Sequence, residues 1–191
     1  MSISELTRFF SGEYKTIAAA AVRLIERVED EFSFDSGVRR VVVLPWTGGL
    51  YFSRPWVLIG NTIKVHAAGP RTFELRGFVY HELGHAICDH FDVAQYLKPF
   101  VRRFQSCFSD YRAASNRAAE AERRSGFVSG YASCNREEDF CETLAAYLLN
   151  RSTWRRSVSF ECEVINSRAD GKLRAKLDAV HELLRDLHTF V

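Results

Sequence analysis

The sequence predicts an α+β fold in which a small mixed sheet, from about residue 38 to residue 67, packs against a mainly helical body. Short runs rich in β-branched and aromatic residues, separated by turn residues, indicate the sheet. Longer segments on either side, whose apolar residues recur at the spacing of one helix face, indicate the helical body. A length of 191 residues suits one domain with its own core, so we expect a single domain over residues 1–191.

The first half of the chain begins with a predicted helix at residues 3–32, and Gly12 is a candidate break within it. The hydrophobic period then changes from that of a helix to that of strands. Gly69-Pro70 ends the strand region, because both residues interrupt regular structure. The predicted strands cover residues 38–44, 51–52, 56–59 and 62–67.

The second half is predicted to be helical, since apolar residues return to helical spacing after the Gly69-Pro70 pair. The motif discussed below lies in the first of these helices. A loop is expected at residues 126–135. The predicted helices cover residues 72–91, 93–124, 137–149 and 170–189.

Composition limits the classes of partner and compartment. The net charge of +2 is too small to indicate a nucleic-acid or membrane partner, so neither is expected. The five cysteines are odd in number and form no Cys-x-x-Cys pair, which favours a reducing compartment over a disulfide framework. The N-terminal segment has no signal-peptide pattern. We therefore expect a protein that is cytoplasmic in the producing cell or exported without a classical signal peptide.

Residues 81–85 read His-Glu-Leu-Gly-His, inside a predicted helix. Positions i and i+4 share a helix face, so His81 and His85 can offer two imidazole nitrogens to one zinc ion. Glu82 lies beside these ligands, where it can act as general base on a water that zinc activates. A chance surface pattern is the alternative, and the apolar helix and the preceding strands disfavour it.

A catalytic zinc site needs a third protein ligand. A histidine ten residues after the first is one option, but Phe91 holds that position, and His90 misses it by about 100° around the helix. A carboxylate from a second helix is the other option, and an acidic cluster follows at residues 137–142. Glu138 and Glu142 share a face, so one can bind the metal while the other contacts a ligand imidazole from behind. A solvated helix N-terminus is the alternative interpretation.

The two blocks together resemble a known family. The pattern His-Glu-x-Gly-His, followed by Ser-x-Tyr-Ala-x-x-Asn-x-x-Glu-Asp-Phe-x-Glu at residues 129–142, resembles the gluzincin metallopeptidases of the anthrax lethal factor type and related bacterial zinc-binding peptidases. The resemblance covers about 20 residues and leaves out the other domains of lethal factor. Cys141 departs from the alanine that the family prefers, and Asp139 replaces the first of two phenylalanines in the lethal factor form.

The resemblance implies roles for individual residues. Glu138 becomes the third zinc ligand, with Glu137 as its rival one position earlier, and Glu142 contacts a ligand histidine from behind. Tyr131 stabilises the tetrahedral intermediate, which agrees with the negative charge that develops on the carbonyl oxygen during acyl transfer. A tyrosine packed over the loop is the alternative for Tyr131. The ligands implied for one zinc ion per chain are His81, His85 and Glu138.

Two residues near the motif suggest weaker hypotheses. Asp89 follows His85 by one turn and could orient it, although a solvent-facing position is equally compatible with the pattern. The predicted strand at residues 62–67 would lie at the sheet edge, where an extended peptide can pair. His66, within that strand, is interpreted as an ordinary strand residue rather than a ligand.

These observations predict a zincin-like domain that acts as a zinc-dependent metallopeptidase on a protein or peptide substrate. Such an enzyme inside its own cell suggests narrow specificity or delivery elsewhere, for instance as a bacterial effector. One rival hypothesis is a zinc-binding domain without peptidase activity that serves as a protein-interaction module. The other is a helical interaction or nucleic-acid module with a basic face. That face would comprise Arg102, Arg103, Arg123, Arg124, Arg155 and Arg156.

Overall fold

A computed structural model describes nine segments of the chain, and four α-helices and three strands lie within them. The helices are α1 (Gly12–Phe32), α2 (Thr72–His90), α3 (Arg136–Trp154) and α4 (Gly171–Asp186). The strands are β1 (Arg40–Leu44), β2 (Gly49–Ser53) and β3 (Trp56–Gly60), and short 3₁₀ helices cover Tyr131–Ser133 and Leu187–Phe190. The described residues are 12–38, 40–44, 49–53, 56–60, 72–91, 126–129, 131–133, 135–154 and 171–190.

The three strands form a small mixed sheet in the order β1-β3-β2. β1 and β3 run parallel, with Arg40 opposite Trp56, whereas β2 and β3 are antiparallel. These strands coincide with three of the runs predicted from the sequence. The fourth predicted strand, at residues 62–67, and the predicted helix at 93–124 lie outside the described residues.

The α+β class predicted from the sequence is wrong for the described residues, which are mainly α-helical. The four α-helices are 21, 19, 19 and 16 residues long, whereas each strand has five residues. The prediction gave the β-branched runs too much weight, because the three strands together account for far fewer of the described residues than the four helices do. The mutual burial of amphipathic helices accounts for most of the core instead.

α1 buries one face and exposes the other, as its sequence predicts. Ile17, Ile25 and Val28 are buried, whereas Arg23 and Glu26 on the opposite side are exposed. The described helix covers Gly12–Phe32, and residues 3–11 of the predicted helix lie outside the described residues. It ends at Phe32 because Ser33 adopts a left-handed conformation with φ of 55°. The amide of Phe34 then donates to the Glu29 carbonyl at 3.1 Å, which closes the last turn.

α2 and α3 pack against each other at close range, and Gly84 permits the approach. A Cβ atom added to Gly84 would lie 2.9 Å from the Cα of Cys141 and 2.9 Å from its Sγ. Because one of these atoms belongs to the backbone, it cannot rotate away. Leu83 and Ile87 on α2 and Leu144 on α3 are buried around this crossing. The short distance between the two helices therefore depends on glycine, which has no side chain, at position 84.

Gly84→Ala is expected to destabilise the fold by about 1–3 kcal/mol, because the added methyl group overpacks the α2–α3 crossing. Gly77→Ala is the matched control on the same helix, since its added Cβ would meet Leu149 at an ordinary 3.9 Å. The control is expected to keep or raise stability by up to about 1 kcal/mol, because alanine favours helix. Urea unfolding of both variants measures the difference. Equal stability of the two variants would contradict the close approach.

α4 closes the described core with a stripe of leucine and valine side chains. Leu173, Leu177, Val180 and Leu184 are all buried, as their helical spacing predicts. Leu187, in the 3₁₀ helix that follows, extends the same stripe. In the part of the chain that is described, no helix combines the length and the apolar character needed to cross a membrane.

Candidate metal centre

The middle of α2 presents two histidines to the first turns of α3. His81 and His85 are one turn apart, and their ring centroids are 5.0 Å apart in an edge-on arrangement. Their side chains are 12% and 14% exposed, so most of each ring is shielded from water. The helical spacing therefore places two imidazoles on one partly buried surface, as predicted from the motif.

The start of α3 is fixed by Asn135. Its side-chain oxygen accepts hydrogen bonds from the backbone amides of Glu137 at 2.9 Å and Glu138 at 3.0 Å. This is the arrangement of a helix N-cap, which satisfies amides that have no partner within the helix. The cap determines where the acidic first turn of α3 begins, and that turn faces His81 and His85.

Glu138 completes a cluster of three ligand atoms with the two histidines. Its Oε2 lies 3.2 Å from Nε2 of His81 and 3.6 Å from Nε2 of His85. One ligand atom from each residue lies within 4.8 Å of the others. Ligands at 2.0–2.1 Å around a tetrahedral zinc ion are separated by about 3.3 Å. Both oxygen–nitrogen distances are therefore close to those of a zinc coordination shell.

The environment of Glu138 also fits a metal ligand. Its Oε1 accepts a hydrogen bond from the Tyr131 hydroxyl at 2.9 Å. Its Oε2 is buried and accepts no well-directed hydrogen bond from the described residues, although it faces two imidazoles. A buried carboxylate oxygen without such a bond is costly unless a cation compensates it. Two nitrogens, one carboxylate oxygen and a remaining position are the donor set of a catalytic zinc site.

Each histidine has a carboxylate behind it. Nδ1 of His81 lies 2.8 Å from Oε1 of Glu142, and Nδ1 of His85 lies 2.7 Å from Oε1 of Glu137. With Nδ1 donating to a carboxylate, each ring directs Nε2 towards Glu138. Glu142 was predicted to make such a contact, whereas Glu137 was considered only as a rival ligand. Glu137 therefore makes the contact behind His85, and Asp89, the residue considered for that role from the sequence, is exposed.

The charges of the cluster are strongly coupled. Burial by itself lowers the pKa of an imidazole, but the nearby carboxylates of Glu138 and Glu142 outweigh it and raise the pKa of His81 from 6.5 to about 9. Burial likewise opposes charge on His85, but Glu137 and Glu138 raise its pKa to about 10. Burial would raise the pKa of Glu138, yet the two histidines and Tyr131 hold it well below its usual value. Without a bound cation, protons on the two imidazoles would balance the carboxylates.

Zinc uptake near pH 7 is expected to release up to about two protons per ion, because zinc binds the neutral imidazole. The pKa values of about 9 for His81 and about 10 for His85 lie above this pH, so both rings carry an extra proton beforehand. Apparent zinc affinity should therefore rise with pH and level off above these pKa values. Calorimetry in two buffers of different ionisation enthalpy counts the released protons.

The control for proton release is His188→Ala, which removes an exposed histidine from the 3₁₀ helix after α4. This variant is expected to release as many protons as the wild type. Uptake of zinc near pH 7 without any proton release would contradict the charge state described for His81 and His85.

The other two predicted catalytic residues border the cluster. Glu82 is 3% exposed, and its charge contributes to the raised pKa of the adjacent His81. Tyr131 lies in the short 3₁₀ helix before α3, and its ring centroid is 5.9 Å from that of His81. Both side chains are therefore near the ligand atoms, while their catalytic roles stay predictions.

Two contacts near the site involve residues to which the sequence analysis gave no role. The Ser129 hydroxyl donates to Oε2 of Glu142 at 2.7 Å. Nζ of Lys176, on α4, lies 2.7 Å from both carboxylate oxygens of Asp139, and both side chains are fully buried. A lysine within the apolar stripe of α4 is the signal that could have indicated this pair, because such a cation needs a buried partner.

The weaker sequence hypotheses have different outcomes. His90 ends α2 and packs edge-on against Phe91 at 4.8 Å, outside the ligand cluster. Among the described cysteines, Cys88 and Cys141 are free thiols. Three hypotheses concern positions outside the described residues. These are the strand-edge site at residues 62–67, His66 within it, and the proposed basic face.

Comparison with known proteins gives one match. The model of a family described as "Putative zinc-binding metallo-peptidase" matches residues 61–189, more than half of the chain. The matched range contains α2, α3 and α4 and therefore every residue of the cluster described above. No curated protein and no solved structure matches the chain.

Proposed function

The chain belongs to this zinc-binding metallo-peptidase family, and from that premise we propose that it is a zinc-dependent endopeptidase that acts on a protein or peptide substrate. Membership supports the broader prediction of a zinc metallopeptidase. The gluzincin type, the resemblance to lethal factor and the individual residue roles are part of the proposal.

The main support for the proposal is that the side chains of His81, His85 and Glu138 lie close together. The Glu138 carboxylate comes within 3.2 and 3.6 Å of the two Nε2 atoms, close to the separation of about 3.3 Å expected between zinc ligands. The proposed ligands of one zinc ion are therefore these three residues. Bound zinc would supply a Lewis acid that lowers the pKa of water to about 7.

The chain's own groups would move the protons of the reaction. Glu82 accepts a proton from the attacking water and later delivers it to the amine that leaves, so it acts first as base and then as acid. Peptide hydrolysis thus yields a carboxylic acid and an amine, the acid's proton then passes to the amine to give carboxylate and ammonium, and Glu82 returns to its starting state. Its burial at 3% exposure supports this role, because proton transfer there is shielded from bulk solvent.

Tyr131 is proposed to stabilise the oxyanion. Its hydroxyl is a hydrogen-bond donor at the edge of the cluster, and in this structure it donates to Glu138. When a substrate is bound, the same hydroxyl would instead donate to the carbonyl oxygen as that atom gains negative charge. Glu142 and Glu137 would keep His81 and His85 oriented with Nε2 towards the metal.

A peptide library incubated with the zinc-loaded protein tests the function directly. We expect cleavage within peptides, its loss after chelation and its recovery when zinc is restored. Zinc binding without cleavage of any peptide or protein would contradict the proposal and would favour a zinc-binding interaction module. Narrow specificity and delivery as an effector stay predictions, and cleavage at many unrelated sequences would count against both.

A further inference from the structure

The loop that precedes α3 is anchored beside the metal ligands through Ser129. Phe127 and Val128, just before it, are buried in the core. After Ser129, a short 3₁₀ helix begins at Tyr131, and the hydroxyl of Tyr131 donates a hydrogen bond to Glu138. Ser129 therefore lies between the part of the loop that packs in the core and the part that borders the site.

The Ser129 hydroxyl makes two hydrogen bonds in opposite senses. It donates to Oε2 of Glu142 at 2.7 Å, and it accepts from the backbone amide of Ala132 at 3.0 Å. A serine hydroxyl has a single proton to donate. The proton of Ser129 is thus directed at Glu142, while the accepted bond holds the 3₁₀ helix that contains Tyr131.

Glu142 connects this hydroxyl to a proposed zinc ligand. Its Oε2 accepts from Ser129, and its Oε1 lies 2.8 Å from Nδ1 of His81. The Glu142 side chain is 25% exposed, so water competes for both oxygens. A second fixed contact on the carboxylate reduces the orientations it can adopt and keeps Oε1 facing the imidazole.

We propose that Ser129 is a positioning residue that acts through Glu142 to hold His81 with Nδ1 protonated and Nε2 directed at zinc. The inference rests on the proposed function, because it assigns His81 as a zinc ligand. The same hydroxyl, through Ala132, also fixes the start of the segment that carries Tyr131. Ser129 thereby links the orientation of a ligand to the placement of the proposed oxyanion donor.

Zinc affinity of two Ser129 variants tests this role without any substrate. Ser129→Ala removes the donated proton, and it is expected to weaken zinc binding by about 10-fold, the lower end of the range for such outer contacts. Ser129→Thr keeps a hydroxyl and is expected to stay within about 3-fold of the wild type. Competition with a chromophoric chelator measures the dissociation constants.

Ser36→Ala is a matched control, because the Ser36 hydroxyl also donates to a glutamate, Glu29, far from the site in sequence. Ser36 is fully buried, so its loss should lower the unfolding midpoint while leaving zinc affinity within about 2-fold. In zinc-loaded protein, the Nδ1–H proton resonance of His81 should move upfield in Ser129→Ala and stay in place in Ser36→Ala.

The outcomes separate the inference from the function on which it rests. Unchanged zinc affinity in Ser129→Ala, or an equal loss in Ser36→Ala, would overturn the positioning role alone. A wild-type protein that binds no zinc would overturn the proposed function and the positioning role with it. Zinc binding without peptide cleavage would overturn the proposed peptidase activity. The comparison of zinc affinities would then still decide whether Ser129 positions His81.

Discussion

Glu82→Gln is expected to keep zinc while lowering kcat for peptide cleavage by about 10²–10⁴-fold, the usual contribution of a general base. Glutamine preserves the size of the buried side chain and its ability to form hydrogen bonds, but it cannot accept a proton from water. The ligand atoms belong to His81, His85 and Glu138, so the change leaves the coordination shell intact. The prediction therefore separates chemistry from metal binding.

Steady-state kinetics on zinc-loaded protein, with metal content measured on the same samples, tests this expectation. Glu26→Gln is a suitable control, since Glu26 is exposed on α1 and outside the cluster, and its kcat should match the wild type. A Glu82→Gln protein with full zinc and wild-type kcat would show that another group transfers the proton.

Lys176→Met is expected to lower the free energy of unfolding by about 3–5 kcal/mol, because it leaves a buried carboxylate without its cation. Nζ of Lys176 lies 2.7 Å from both oxygens of Asp139, and both side chains are 0% exposed. Nζ also lies 4.0 Å from the ring centre of Phe127, in the loop before the site. The pair thus joins α4 to the helix and the loop that form the metal centre.

Two comparisons distinguish loss of this ion pair from loss of packing. Arg174→Met removes one partner of an exposed pair on the same helix and is expected to cost at most about 1 kcal/mol. Replacing Asp139 by leucine together with Lys176→Met removes both charges, so it should recover most of the lost stability. Urea unfolding of zinc-free protein measures all three. If the double variant lost as much stability as the two single changes added together, an uncompensated buried charge would not be the cause of the loss in Lys176→Met.

The helices of the site could be predicted because each carries a long periodic signal. α2, α3 and α4, as described, each overlap the range predicted for them, and α3 begins within one residue of its predicted start. The spacing of His81 and His85 follows directly from helix geometry. The sequence therefore indicates which residues share a face, although it does not indicate how two helices cross.

The contacts between helices could not be predicted for that reason. Whether Glu137 reaches His85 depends on the separation of α2 and α3, and the contact of Gly84 with Cys141 sets this separation. The fold class failed for a related reason, since short β-branched runs do not report how much of the core they cover. Ser129 appeared in the motif, but its contact with Glu142 depends on the path of the loop.

Zinc content by mass spectrometry tests the central claim most directly, with wild type, His81→Ala, Glu138→Ala and Glu82→Gln purified side by side. The account predicts about one zinc per chain in wild type and in Glu82→Gln, and a large loss in the two ligand variants. A wild-type protein that takes up no stoichiometric zinc when it is supplied would contradict the claim, as would full zinc in both ligand variants.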